Sequence, residues 1–305
     1  MVQAIGVTEA GDADALTVLD LAPEPLGDGE VRIRVTHATV NPVDGMLRSR
    51  EGDGVRVPGM EVAGVVQELG GDLPFAVGDA VMAIVVPDGE HGGYRAEVVV
   101  PALSVVKLPA GLSPAQAATL PMNGLTAQIA LDTLALPAGA TVAVTGSAGT
   151  VGGYFIQVAK HAGLTVIADA APADEAFVRA CGADEIVARG NDFAAAVRQQ
   201  HPAGVDGLVD TARQEAAVLD AVKDGGTVIT VSGYAGDGTD RVEVTPIFVF
   251  QAAQNADALQ RVATLAASGV LTTRVAGELP AIKASEAHRA LEQRGLRGRY
   301  VLQFD

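Results

Sequence analysis

The sequence predicts an α/β chain in two parts, a β-rich barrel followed by a doubly wound parallel sheet. Three observations predict it. From Met1 to about Pro121, short runs alternate apolar and polar residues, with Gly or Pro punctuating the intervals. From Thr141 to Val231, strand-like runs alternate with helix-like ones, the pattern of a parallel sheet with right-handed crossovers. After the first of those strands, Gly146, Gly149 and Gly152 recur at three-residue spacing and open an amphipathic run.

In the first part, Glu30–Thr39, Glu61–Leu69 and Tyr94–Val100 read as strands, the first by strict alternation of Val31, Ile33 and Val35 with charged or polar neighbours. Asn41-Pro42 and Val57-Pro58-Gly59 read as fixed turns. Many short strands at this spacing suggest a small barrel. Ser113-Pro114 has the form of a helix N-cap with proline at the first helical position, and Gly124–Leu136 continues helical. Strands follow at Thr141–Val144, Leu164–Ala168, Glu185–Val187, Val205–Val209 and Thr227–Val231. Arg241–Phe250 is a further β-prone run. Ala256–Ser268 and Ala284–Arg294 are helical in texture, and Gly298–Phe304 closes the chain as a strand.

The Thr141–Gly152 stretch carries the chemistry. Four β-prone residues lead into the glycines, and Val151, Phe155, Val158, Ala159 and Ala162 then share one helical face up to Gly163. Strand, glycine turn and helix N-terminus together make an anion site, because backbone N–H groups and the positive end of the helix dipole converge there. In this context the motif predicts pyrophosphate binding by Gly146, Ala148, Gly149, Thr150, Val151 and Gly152. The alternative is a tight turn with no ligand.

Composition narrows the class. The chain has 305 residues, 49% of them apolar, and no segment with the length and purity of a membrane-spanning helix. Its first residues lack the basic start and apolar core of a signal peptide. The single Cys181 excludes an intrachain disulfide and a cysteine-rich metal cluster. A net charge of −16 argues against nucleic acid and anionic membranes as partners. A cytoplasmic protein is expected.

Asn41-Pro-Val-Asp44, Pro58–Gly64, Phe75–Asp79, His91–Tyr94, Ala117–Thr126, Thr145–Gly152 with Gln157–Lys160, Gly182–Asp184 and Gly298–Leu302 stand in an order and spacing that resemble the medium-chain dehydrogenase/reductase superfamily. The resemblance is to its zinc-free, zeta-crystallin-like quinone oxidoreductase branch and spans almost the whole chain. It implies a GroES-like β-barrel domain formed by residues 1–122 and 254–305 and a Rossmann domain formed by 123–253, with nicotinamide and substrate in the cleft between the two. In zinc-dependent relatives a cysteine occupies the place of Asn41 and a His-Glu pair that of Met60-Glu61, so no zinc is expected here. Without that Lewis acid, alcohol oxidation is hard, whereas an activated acceptor needs mostly positioning and dry surroundings.

The resemblance also implies individual roles. Asn41 would lie beside the nicotinamide, on a turn with Asp44, both as candidate catalytic residues, and turn chemistry is the alternative for both. Thr126 would touch the nicotinamide or its ribose, or else bond backward within its helix. Ser232 and Gly233 end the fifth strand at the ligand edge, where their backbone is expected to bind the cofactor. Phe248, Val249 and Phe250 would line the nicotinamide, a core strand being a compatible reading. The same region often pairs across a two-fold axis in relatives, so a homodimer by sheet extension is expected. The proton donor is open. Tyr94 is a candidate acid, with a structural tyrosine as the alternative, water is another source, and Arg48 and Arg50 read as solvated loop charges, with polar walls of the substrate pocket as the alternative.

Just beyond the second Rossmann strand stand Asp169, Asp174 and Glu175, with no cation before Arg179. A carboxylate at Asp169 could accept a ribose 2′-hydroxyl and would repel a 2′-phosphate. Local residues therefore lean to NADH and the family to NADPH, with Arg179 or Arg189 available for the phosphate. The leading expectation is an NAD(P)H-dependent reductase of quinones or α,β-unsaturated carbonyls. A nucleotide-sensing module with little catalysis and a zinc-free alcohol dehydrogenase are the alternatives.

Overall fold

The computed structural model describes residues 1–236, 238, 240–293 and 295–304. The chain divides into two compact units. Unit 1 holds Met1–Met122, Phe250–Gly269 and Thr273–Asp305, and unit 2 holds Asn123–Val249 with Val270–Thr272. The second crossing thus falls at Phe250 and not at residue 254. The short Val270–Thr272 segment belongs with unit 2, where Thr272 donates its backbone N–H to Gln157 Oε1 at 2.7 Å.

Unit 1 begins with β1 (Val2–Gly6) and β2 (Thr17–Leu21), an antiparallel pair. β3 (Glu30–Thr39), helix α1 (Pro42–Ser49), β4 (Glu61–Leu69), β5 (Ala80–Ile84), β6 (Glu97–Pro101), β7 (Val105–Lys107) and the one-turn helix α2 (Pro114–Ala117) follow. In β3 the alternation does what the sequence requires. Val31, Ile33 and Val35 are wholly buried, while Arg32 crosses to Glu68 and Glu97 on the neighbouring strands. Irregularities at Arg32/Ile33 and Val35/His37 break the register of β3 with β4. β3 gives its first half to β6.

Helix α1 corrects the turn expected at Asn41-Pro42. Asn41 is the N-cap, Pro42 opens the helix, and the Asp44 carboxylate reaches back to the Asn41 N–H at 2.7 Å. The rule that identified Ser113-Pro114 applies equally here. At α2, Ser113 and Gln116 do form the reciprocal capping pair. Tyr94–Ala96 lie outside any strand, β6 starting only at Glu97.

Unit 2 carries most of helix α3 (Pro121–Leu134), then β8 (Thr141–Thr145), α4 (Thr150–His161), β9 (Thr165–Ala170), α5 (Glu175–Ala180), β10 (Glu185–Ala188), α6 (Phe193–Gln200), β11 (Val205–Asp210), β12 (Val222–Thr230) and β13 (Glu243–Pro246). Among the described residues the sheet runs β10-β9-β8-β11-β12-β13, parallel throughout. The order reverses at β8, so a ligand site is expected at the carboxyl ends of β8 and β11. Helix α4 is buried over nearly its whole girth from Gly152 to Ala159, more than a single face, whereas Ala162 is exposed. Its end at Gly163 is as expected, with φ +81°.

The Arg241–Phe250 run is strand only over Glu243–Pro246. Pro246 ends the ladder, and Val249–Ala252 form a 3₁₀ turn. Phe248 and Phe250 are 39% and 50% exposed, so the core-strand reading of this segment is wrong.

The chain returns to unit 1 through α7 (Ala256–Ala267), β14 (Val275–Pro280), α8 (Ala284–Glu292) and β15 (Arg299–Gln303). The helical end expected at Arg294 lies outside the described residues. β15 pairs with β3, extending the sheet in the order β14-β15-β3-β4-β5-β7. Its core gathers Val31, Ile33, Val62, Val81, Tyr94, Val98 and Leu302.

Candidate functional site

The turn after β8 is built by close approach of backbone. Gly146 has φ +68°, and a Cβ there would stand 2.5 Å from Thr211 Oγ1. A Cβ on Gly152 would stand 2.4 Å from the Gly146 carbonyl oxygen. Only glycine fits either place. Gly149, the N-cap of α4, is less confined, its Cβ position lying 3.0 Å from that same oxygen.

Two buried carboxylates hold this turn. Asp169, at the end of β9, accepts the Ser147 N–H on Oδ1 at 2.8 Å. Asp210, ending β11, accepts the Thr145 hydroxyl at 2.6 Å and the N–H groups of Ala212 and Glu215 at 3.1 and 2.8 Å. Asp210 went unnoticed in the sequence, although it closes the Val205–Asp210 strand at the ligand edge. The loop it anchors puts Arg213 and Glu215 at φ +58° and +55°, uncommon for residues with side chains.

A dinucleotide fits the polar groups left over. The Thr150 hydroxyl, in the first turn of α4, is buried without a hydrogen-bond partner, as is Asp169 Oδ2. An orphaned hydroxyl beside a 12-residue helix N-terminus suits a pyrophosphate, and a spare carboxylate oxygen at the second strand suits a ribose hydroxyl. Ala148 is buried and Val151 half-buried in the same turn. Ser232 and Gly233 follow β12, and the Phe248 ring lies 3.5 Å from where a Gly233 Cβ would be. Val249 is half-buried, and Thr126 is buried within α3.

In unit 1, Asn41 and Asp44 sit in two buried networks. The Asn41 amide donates to Glu61 Oε1 at 2.8 Å and accepts from Arg299 Nε at 2.8 Å, while Glu61 Oε2 takes the Met122 N–H at 2.8 Å. Asp44 accepts from Asn41 N, from Gly59 N at 2.9 Å and from the Tyr94 hydroxyl at 3.1 Å. That hydroxyl also meets His288 Nε2 at 3.2 Å. His288 Nδ1 faces Arg48 Nη1 at 3.4 Å, and Arg48 reaches Glu292 at 2.6 Å. Since arginine only donates, His288 Nδ1 accepts and Nε2 carries the proton toward Tyr94.

Burial pushes the Asp44 carboxyl up to about 6 against the N–H donors that favour its anion, and lifts Tyr94 well above 10. Burial, with the Arg48 charge beside it, pulls His288 down to about 4. Asp44 and Tyr94 are wholly buried and hydrogen-bonded to protein groups, and one expectation is corrected. Arg48 is no solvated loop charge, at 5% exposure, although Arg50 is exposed. His288, Glu61 and Arg299 belong to these networks and were missed.

Among the described residues no three His, Cys, Asp or Glu side chains are grouped to hold a metal ion, and no helix is long and apolar enough to cross a membrane.

Residues 27–110 match the alcohol dehydrogenase GroES-like domain family, and residues 181–302 a family described as zinc-binding dehydrogenase. The chain is 30% identical over 263 residues to a probable zinc-binding oxidoreductase, mitochondrial, of Arthroderma benhamiae, covering 81% of this chain and 79% of that one. It is 29% identical over 240 residues to 2-methylene-furan-3-one reductase of Solanum lycopersicum, covering 74% and 61%. It also matches polyketide synthase GfsB of Streptomyces halstedii at 36% over 185 residues, 59% of this chain, and a pikromycin synthase component of Streptomyces venezuelae at 35% over 211 residues, 67% of this chain. It spans only 3% and 5% of those two proteins. Among solved structures, quinone oxidoreductase of Pseudomonas syringae superimposes with TM-score 0.88 at 28% identity over the full length of both chains. A mycobacterial protein solved with NADPH superimposes with TM-score 0.84 at 27% identity, again over both whole chains.

Proposed function

The chain belongs to the medium-chain dehydrogenase/reductase superfamily, with a GroES-like domain and a Rossmann-like parallel sheet, and from that premise we propose that it reduces a quinone or an α,β-unsaturated carbonyl at the expense of NADH. That it is an oxidoreductase dependent on a nicotinamide cofactor follows from the family. The observation that carries the finer reading is the β8–α4 turn, with the Thr150 hydroxyl and Asp169 Oδ2 both buried and without a hydrogen-bond partner.

A reduced nicotinamide, when bound, supplies the hydride. The protein's part is placement. Ala148 and Thr150 present backbone N–H groups, and Thr150 its hydroxyl, to the diphosphate, and Asp169 receives the adenine ribose. Gly233 and Phe248 form an apolar wall after β12. The names of the tomato reductase and the Pseudomonas protein support an enone or quinone as acceptor. The acceptor gains the hydride at its electron-poor carbon and a proton at oxygen or the neighbouring carbon. Because Tyr94 and Asp44 are enclosed, we assign that proton to solvent.

We propose that the reaction needs no zinc. At the ligand positions stand an amide, a thioether and one carboxylate, and both Glu61 oxygens and the Asn41 oxygen already receive N–H donors. We further propose a small-molecule substrate, no nucleic-acid or membrane partner, a cytoplasmic setting and a homodimer formed along β13, an edge strand of its sheet.

The test is oxidation of NADH and NADPH, followed by loss of the reduced nicotinamide absorbance, against a panel of quinones, enones and simple alcohols or ketones. Turnover with quinones or enones is expected. Cofactor binding without turnover of any acceptor would favour the sensing module instead.

A further inference from the structure

Arg32, Arg48 and Arg95 in unit 1 each commit all three guanidinium nitrogens to hydrogen bonds, and each meets a glutamate. Arg56 does not. Its Nη1 donates to the Gly52 carbonyl at 2.7 Å and reaches the Gly54 carbonyl at 3.5 Å. Its Nε and Nη2 are shielded from solvent with no hydrogen-bond partner, and no carboxylate of a described residue pairs with it. The residue itself is firmly placed. Arg56 donates its N–H to the Val7 carbonyl at 2.8 Å and accepts the Val7 N–H at 2.9 Å, and a Cβ on Gly6 would stand 2.6 Å from the Arg56 carbonyl oxygen. Val55 and Val57 on either side pack into the core of unit 1, so the Arg56 side chain leaves by the opposite face. Charged donors held away from water without an acceptor cost free energy. A chain with 37 carboxylate side chains places none of them there.

We propose that Arg56 is a binding site for an organic carboxylate. Nε and Nη2 lie along one edge of the planar guanidinium, the fork that takes both oxygens of a carboxylate side-on. Nη1, on the other edge, ties down the loop between α1 and β4. Residues 50–54 of that loop are exposed, and Gly52 and Gly54 stand at φ +146° and +94°. A ligand therefore enters by parting the two Nη1 contacts, with the Val7 pairing left in place. A carboxylate suits the site better than a phosphate dianion. The fork offers one positive charge, and Glu51 and Asp53 in the same loop, with a net charge of −16 overall, oppose a second negative one. Arg56 stands just before Gly59, whose N–H holds Asp44 beside Asn41. The carboxylate is carried either by the acceptor, an assignment that rests on the reductase reading, or by a separate effector, which does not.

The experiment is titration calorimetry of benzoate, and of benzamide as its neutral counterpart, into wild type, Arg56→Met and Arg56→Lys at low ionic strength, with thermal melting of the free proteins. Benzoate should bind wild type at least about tenfold more tightly than benzamide, and Arg56→Met should lose that difference. Arg56→Lys keeps the charge without the fork and should weaken benzoate by about 3- to 10-fold. Free Arg56→Met should melt within about 2 °C of wild type or above it, because it removes a cation whose donors have no acceptor. Turnover of 3-benzoylacrylate against its methyl ester, both enones, locates the source. A lower KM for the carboxylate that disappears in Arg56→Met assigns it to the acceptor, and equal KM values with benzoate still bound assign it to an effector. No turnover of either enone or of any quinone, with benzoate bound, would overturn the reductase reading and leave the site standing. Benzoate failing to bind wild type, or binding wild type and Arg56→Met alike, would overturn the site. So would a loss of more than about 5 °C in free Arg56→Met, the mark of an arginine that serves only the fold.

Discussion

Asp44 and Tyr94 meet at 3.1 Å in the interior of unit 1, 50 residues apart in the chain, with His288 on the far side of the same hydroxyl. The cluster pairs a carboxyl raised to about 6 with an imidazole lowered to about 4. Between about pH 4 and 6, native Asp44 keeps a proton that the unfolded chain has released, so its contribution to stability falls as pH rises. Between about pH 4 and 6.5, the unfolded chain carries a proton on His288 that the native state refuses, so that contribution rises with pH. The slopes oppose each other, each at most about 1.4 kcal/mol per pH unit. Relative to wild type, Asp44→Asn should gain stability as pH rises through this window and His288→Gln should lose it. Urea unfolding across the window measures both, and variant curves parallel to wild type would contradict the assignment.

Glu61 is predicted to matter more for folding than its place in a β-strand suggests. Each of its oxygens serves a buried N–H donor, from Asn41 and Met122. Glu61→Gln must turn an amide NH₂ against one of them and should cost about 2–4 kcal/mol in urea unfolding. A change under about 0.5 kcal/mol would mean that water replaces the lost acceptor.

The glycines of the turn should fall in a fixed order. Gly152→Ala meets backbone at 2.4 Å, and Gly146→Ala meets a side chain at 2.5 Å with an unfavourable φ. Both should lose about 1–3 kcal/mol of stability and most cofactor affinity. Gly149→Ala, at 3.0 Å and ordinary φ, should be the mildest of the three by melting temperature and by NADH titration.

Much of this was readable in advance because it is local. Period-two alternation gave β3 and β4 their bounds, and the strand–glycine–helix pattern placed the β8–α4 turn. What escaped depends on partners distant in sequence. Arg48 and His288 are 240 residues apart, and Asn41 and Arg299 are 258 apart, so the residues of each buried pair read singly as surface charges or turn formers. Helix α1 is a different failure. Its cap, proline and N3 carboxylate were all visible, but Asn-Pro signals a turn as strongly as a helix start. At Phe248–Phe250 apolar composition misled, since a proline had already ended the strand.

Metal content gives a further prediction. Purified protein should carry far less than one zinc per chain, and a chelator should leave NADH-dependent turnover unchanged. Elemental analysis showing one zinc per chain would overturn the zinc-free reading.

Assembly is checked by light scattering at micromolar concentration. A dimer is expected, and Val244→Lys on β13 should shift it toward monomer without loss of NADH binding. A monomeric wild type would remove the edge-pairing proposal.

The central claim is that the backbone from Gly146 to Gly152 embraces a pyridine dinucleotide. Amide hydrogen exchange of the wild-type protein, with and without saturating NADH, tests it most directly. Protection concentrated at Ser147–Gly152 and at Asp169 is the predicted result. NADH and NADPH failing to bind, or binding with no added protection there, would contradict it.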